Sequence, residues 1–447
     1  MATNTRVRAI ALILSAWVAT AGAEDPSQVA AATIATPSTI TAPAQGLITD
    51  AEIAQWTAAL AQDTDRDKVR VNLGQALMHK ARETADPRYY ARAEARYHEA
   101  LKQNPQNAGA LTGLAEVAGA RNEIEQSSQW ARQAVDLDPA NALAFGLLGD
   151  AALALGDYDT ALKHYQKMLN LRPDLAAYCR SAHLLYLKGN VRKATWLIQQ
   201  ALAADTVESR QSAECRRQLA LIHWNNGVLL VAEQMLEKAI KLSPNNHRLL
   251  GAMAKIKTSK RDYPSAIDYY QRAIRIGAES DAVIGLGDIY AITGDTDKAE
   301  QQYARLDALQ AMNVASGVRD DLVMARFYAD HARNLPAALQ QAEAVWAIRK
   351  NLFVADTLAW CLYQNARYED AAKAIQAALK LGTPDANILF HAGMIYAKAG
   401  DRENAKRYLF EALSLNGAFH PRYATVAADI LKTLGNNATS TAAVDRR

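Results

Sequence analysis

Net charge is nearly absent. The 447 residues carry 50 Lys and Arg against 47 Asp and Glu, and Arg6 and Arg8 near the N-terminus supply two of the three excess positive charges. A basic footprint for nucleic acid is therefore not indicated. The Lys and Arg residues are dispersed in the manner of solvated helix faces. Aromatics make up only 7% of the chain while half of it is apolar, so neither disorder nor a large aromatic core is the default. Cysteine is scarce, with Cys179, Cys215 and Cys361 alone. An odd, sparse set is no disulfide framework. Cys179 and Cys215 are the one pair that spacing allows to bridge; otherwise all three are small packing residues.

Recognisable reaction chemistry is also missing. The sequence has no phosphate-binding glycine loop, nucleophile elbow or dinucleotide fingerprint. His98-Glu99 lacks a second histidine four residues on, and neither Cys-x-x-Cys nor His-x-x-x-His occurs. A zinc site is thus not expected, nor is any other metal or cofactor, and no catalytic residue is assigned. The expectation is a protein that is not an enzyme.

One long apolar run occurs, from Ala9 to Val18, after Arg6 and Arg8 and before Ala21-Gly22-Ala23. A charged start, a short hydrophobic stretch and small residues form a leader with cleavage after Ala23. The run is shorter than the ~20 residues of a membrane span. Residues 1–23 are therefore read as a signal peptide, and export, most naturally to a periplasm, is the expected localisation. Residues 24–48, rich in Ala, Thr, Pro and Ser, read as a flexible linker. Residues 433–447 read as a disordered tail.

What the chain does have is a period. Pro105, Pro139 and Pro173 are 34 residues apart, as are Ala93, Ser127 and Ala161, and Tyr97, Ala131 and Tyr165. The small residue recurs at Ala194, Ala232, Ala266, Ala299, Ala338, Ala371 and Ala405, with two longer steps that place insertions near 203–212 and 308–318. A fixed period of this length means stacked supersecondary units. Each unit is a helix pair with a turn at Gly156, Gly189, Gly227, Gly294 or Gly400, and Asp157, Asp295 and Asp401 following those glycines as caps. The proline that closes the second helix is lost after Ala201, and Ala278 and Gly417 replace it in two later units.

The pattern resembles the tetratricopeptide repeat. Phe145, Leu148, Gly149, Ala152, Ala161, Tyr165 and Pro173 stand at its signature positions, as do Val283, Leu286, Gly287, Tyr290, Ala299 and Tyr303. Leu389, Ala392, Gly393, Tyr396, Ala405, Leu409 and Ala412 repeat the set. The resemblance implies an all-α solenoid over residues 49–432, with a capping helix and about ten helix pairs in a right-handed superhelix. The weakest unit lies around Met324 to Val345.

It also implies a concave groove, lined by first helices, that binds a protein or an extended peptide segment. Two sets of groove candidates follow. His183, Tyr186, Arg217, Trp224 and Lys255 form a basic, aromatic stretch suited to an acidic or aromatic segment. Asp356, Trp360, Tyr363, Phe390 and the adjacent His391 form a more aromatic one. The family's two-carboxylate clamp is not found. The expected role is a periplasmic scaffold or adaptor, with no nucleic acid partner and no membrane segment after leader cleavage. Alternatives are a membrane-associated envelope assembly component for exopolysaccharide, pilus or outer-membrane machinery, or an accessory factor in maturation of an exported metal or redox protein.

Overall fold

A computed structural model describes residues 45–62, 66–205 and 210–444. The expected signal peptide, most of the expected linker and the middle of the 203–212 insertion lie outside the described residues. Within them every element is a helix. Helix α1 (Gln45–Gln62) precedes ten pairs. The first five are α2 (Arg66–Thr84) with α3 (Arg88–Gln103), α4 (Ala108–Ala120) with α5 (Ile124–Leu137), α6 (Ala142–Leu155) with α7 (Tyr158–Leu171), α8 (Leu175–Leu187) with α9 (Val191–Ala204), and α10 (Arg210–Asn225) with α11 (Leu229–Leu242). The next three are α12 (His247–Ser259) with α13 (Tyr263–Ile276), α14 (Ser280–Ile292) with α15 (Thr296–Ala315), and α16 (Asp321–Asp330) with α17 (Leu335–Ile348). The last are α18 (Leu352–Gln364) with α19 (Tyr368–Leu379) and α20 (Ala386–Lys398) with α21 (Arg402–Leu415), followed by α22 (Tyr423–Val444).

Pairs one, three, seven and ten close by the same device. The first helix carries a glycine notch, and a large side chain of the second helix fills it. A Cβ at Gly149 would sit 2.3 Å from the Tyr165 ring, one at Gly287 2.6 Å from Tyr303, and one at Gly393 2.5 Å from Leu409. Tyr97 fills two notches at once, Gly74 of its own pair and Gly113 of the next. The recurring small residue of the second helix is buried in all ten pairs, from Ala93 and Ser127 to Ala405. Any larger group there would hold the two backbones apart.

All ten first helices end in a left-handed residue. Gly156, Gly189, Gly227, Gly294 and Gly400 do so at φ between 73° and 87°. Ala85, Asn122, Arg261, Ala332 and Ala366 take the same place at φ between 51° and 60° without being glycine. The expected caps form, with Asp157, Asp295 and Asp401 accepting from the backbone N–H of Thr160, Lys298 and Asn404. The insertion at 308–318 makes no new loop; it lengthens α15 to 20 residues. The weakest unit has the shortest first helix, α16, with 10 residues.

Consecutive first helices touch one another along the stack, whereas second helices make no comparable contact among themselves. First helices therefore line the inner side of the curve. The curve closes on itself. The turn of pair one meets the linker after pair six, where a Cβ at Gly277 would lie 2.9 Å from the Thr84 carbonyl. The turn of pair two meets the linker after pair seven, as Arg319 N–H donates to Arg121 O at 3.1 Å. Lys350 N–H donates to Leu155 O at 3.2 Å, and Asn351 Nδ2 to Ala154 O at 2.7 Å. Thr383 Oγ1 donates to Leu187 O at 2.5 Å, and Asn416 Nδ2 to Trp224 O at 2.7 Å. Five successive turns thus rest on five successive linkers, each five to six pairs further along. The solenoid makes two turns, and a seam joins them.

Helix C-termini leave carbonyls without partners, and the linkers of the second turn supply donors to them. Lys350, which stands twelve residues after the small residue Ala338 as Pro105 does after Ala93, donates its backbone N–H across the seam, and proline has no N–H to give.

Candidate functional site

The inner wall is a ladder of charge carried from one first helix to the next. Arg82 Nη2 pairs with Glu116 at 2.8 Å, Arg180 with Asp150 at 3.0 Å, and Arg248 with Glu279 at 2.9 Å. His331 Nε2 meets Asp288 at 2.6 Å, and Arg326 meets Asp356 at 3.2 Å. Asp150 and Asp288 also accept from Tyr165 and Tyr303 of their own pairs.

Among the described residues no ion-pair rung joins the first helices of pairs two and three, four and five, or five and six. Arg217 turns back to Glu214 on its own helix, with Nε donating at 3.0 Å. Lys255 has no carboxylate within ion-pair distance among the described residues; its ammonium stands 4.0 Å above the Trp224 ring. Lys255 is exposed to water, yet protein encircles it. That enclosure lowers its pKa, against Asp281 and Asp385 and with help from Arg326 and Arg217. These groups belong to pairs five, six, seven, eight and ten, so opposite walls come within electrostatic reach of one ammonium. The concave face is therefore a lumen walled by both turns of the solenoid. His183, half-buried beside it, is held below the usual histidine pKa by burial and by Arg217, with Asp150 opposing.

The structure sorts the expected site residues into three places. His183, Arg217 and Lys255 face the lumen. Tyr186 and Trp224 are spent on the architecture. The Tyr186 hydroxyl donates to Pro384 O across the seam at 2.6 Å. Trp224 is 2% exposed, and its Nε1 donates to Ser259 Oγ at 2.7 Å. The second set is a buried stack. Trp360 lies between Tyr363 at 4.7 Å and His391 at 4.2 Å, and Phe390 stacks on Tyr423 at 4.7 Å. Asp356 is wholly buried, accepting from His391 Nδ1 at 2.8 Å and from Arg326. Burial alone would raise its pKa, but His391 and Arg326 outweigh that and hold the carboxylate charged.

Sequence reasoning passed over Asp150, Arg180, Asp281, Arg326 and Asp385. Each is an ordinary charged residue on a helix or, for Asp385, at a helix cap, and what makes it a lumen residue is the opposite wall. The signal that was present is the one-repeat spacing of opposite charges, such as the 34 residues from Arg82 to Glu116 and the 30 from Arg326 to Asp356.

Of the two roles open to the cysteines, the structure shows the bridge. Cys179 and Cys215 are disulfide-bonded with Cα atoms 6.0 Å apart, joining α8 to α10. Cys361 is free and buried.

With this architecture in view, profiles of the tetratricopeptide repeat match residues 81–142, 142–175, 214–246, 252–311 and 357–438. The chain belongs to the tetratricopeptide repeat family, a scaffold class suited to protein–protein interaction. Among curated relatives it is 25% identical over 260 residues to the TPR repeat-containing protein MJ1428 of Methanocaldococcus jannaschii, covering 54% of this chain and 44% of that one. It is 25% identical over 207 residues to the RNA polymerase-associated protein CTR9 of Caenorhabditis elegans, covering 42% of this chain and 17% of that one. The matched segments thus span less than half the length of these relatives. Among solved structures, that of pilF from Pseudomonas aeruginosa is similar at a TM-score of 0.37 and 20% identity, covering 45% of this chain and 91% of that one. No helix among the described residues is long and apolar enough to cross a membrane.

Proposed function

We propose that the chain is a non-enzymatic adaptor, exported to the periplasm, that holds an extended protein segment in its lumen. The observation that carries this reading is the break in the charge ladder at Lys255. Lys255 stands over Trp224, between Arg217 and Arg326, with no carboxylate within ion-pair distance among the described residues. The other cations named on the wall are held in ion pairs, so a ligand carboxylate gains most at Lys255. An extended segment with an acidic side chain fits the lumen and the charge. The leader sequence and the Cys179–Cys215 bond support export, because such bonds persist in oxidising compartments.

The test is a photo-crosslinking residue placed at His183 in the lumen and, separately, at Lys373 on the outer helix α19, in cells. Protein adducts are expected from position 183 and not from position 373. They are expected to disappear when Lys255→Glu accompanies the position-183 label. Adducts from the outer position alone would overturn the lumen as the working surface.

A further inference from the structure

The seam that closes the tube is not uniform along its length. Its upper part, where pairs three to five meet pairs eight to ten, is fused by a single apolar core. That core contains Met168, Leu187, Leu197 and Leu219 from the first turn together with Leu362, Phe390 and Leu409 from the second. Its hydrogen bonds, from Thr383 to Leu187 O and from Asn416 to Trp224 O, are buried.

The lower part differs in kind. The core of pairs one and two, from Val71 to Val117, is separate from that of pairs six and seven, from Leu250 to Phe327. What crosses between them is polar. His247 Nε2 meets Arg82 O at 2.9 Å, Arg319 N–H donates to Arg121 O, and Asn122 Nδ2 donates to Arg319 O at 3.0 Å. Arg349 Nη1 reaches Asn122 Oδ1 at 3.4 Å. Water replaces contacts of this kind at little net cost, whereas it cannot replace a shared apolar core.

The two sides of the lower seam are also anchored differently. Pairs six and seven are tied at both ends, to pair five through the cluster around Trp224 and Met253 and to pair eight through Met324 and Phe327. Pairs one and two are tied at one end only. Their joint to pair three comprises two clusters, Ala115, Ala131, Leu147 and Leu148 in one and Leu111, Ala134 and Ala144 in the other, with Trp130 and Val135 packed against both and Asn141 Nδ2 donating to Thr112 Oγ1 at 2.9 Å. Neither cluster belongs to the large core.

We infer that α1–α5 form a gate: the lower seam opens as a unit, hinged between pairs two and three, while the upper seam stays shut. The gate admits an extended segment to the lumen from the side, so that a ligand with bulky ends need not thread the bore. The gate is a property of the unliganded chain and stands or falls apart from the identity of any ligand.

Two backbone amides report on it separately, because each is bonded only across the seam: Arg319 in the lower part and Lys350 in the upper. Residue-resolved hydrogen exchange on the full chain is expected to show the Arg319 amide exchanging at least tenfold faster than that of Lys350. Equal protection at the two positions would overturn the gate. A wedge sharpens the test. Gly277 has extended backbone at φ −156°, which other residues adopt, and its Cβ would press on the Thr84 carbonyl. Gly277→Val is expected to accelerate exchange at Arg319, leave Lys350 unchanged and increase the radius of gyration in X-ray scattering. Acceleration at both amides equally, or at neither, would refute the hinge. Asn122→Ala, which removes two lower-seam contacts without adding bulk, gives the same comparison should the wedge variant fail to fold.

Discussion

Gly287 and Tyr303 show how little slack a helix pair has. The ring fills the space where a Cβ would go, at 2.6 Å. Gly287→Leu is expected to overpack the seventh pair and cost about 1–3 kcal/mol, read as a lower melting temperature by circular dichroism. An unchanged melt would mean that the notch is not filled as described. A second residue ties stability to pH. His331 Nδ1 faces Phe327 O at 2.8 Å and Nε2 faces Asp288. Both neighbours accept hydrogen bonds, so both ring nitrogens donate and the ring is charged. Burial lowers its pKa, but the hydrogen bond and charge of Asp288 outweigh burial and the net shift is upward. A raised folded-state pKa stabilises fully below the unfolded value of ~6.5 and loses that contribution as pH rises through the folded value. His331→Gln is therefore expected to lower the melting temperature more at pH 5.5 than at pH 9. An equal cost at both would show that the ring is neutral.

At the scale of elements, the disulfide and the linkers make separable predictions. The Cys179–Cys215 bond closes 36 residues between neighbouring first helices. Its loss is expected to cost about 2–4 kcal/mol, seen by comparing thermal melts with and without reductant, with Cys179→Ser as the genetic equivalent. Lys350→Pro removes one seam donor and is compatible with the extended residue before it, Arg349 at φ −119° and ψ 122°. It is expected to cost about 0.5–1.5 kcal/mol in chemical denaturation while leaving helix content unchanged. These elements also mark what the sequence could and could not reveal. The ten buried small residues and the five glycine turns were legible because a pair closes through neighbours at fixed short spacing. The turns at Ala85, Arg261, Ala332 and Ala366 carry no such mark, since tertiary packing rather than residue type imposes their positive φ. Lys255, Arg217 and His183 were legible as inner-wall residues from helical spacing. Trp224, Tyr186 and Phe390 were equally well spaced yet went into packing, because whether an inner aromatic stays free depends on the opposite wall.

For the whole molecule, the closed seam changes the usual thermodynamics of a solenoid. Stacked repeats normally touch only their neighbours, so stability is a sum of local terms. Here hydrogen bonds such as Asn416 to Trp224 O span 192 residues, and Thr383 to Leu187 O spans 196. X-ray scattering is expected to show a compact hollow particle. The triple variant Asn351→Ala, Thr383→Val and Asn416→Ala is expected to lengthen it while keeping its helix content. A native profile already that of an open coil would refute the closed wall. The seam itself was not visible in the sequence, since its partners lie about 195 residues apart. One consequence concerns how such a chain can change over time. An open stack can gain or lose a rung and remain the same kind of object. In this one each of the first five turns is matched to a linker a set number of units onward, so excising a single internal pair would shift the later partners by one place. The molecule counts its own repeats, and variation in length should be confined to its two ends.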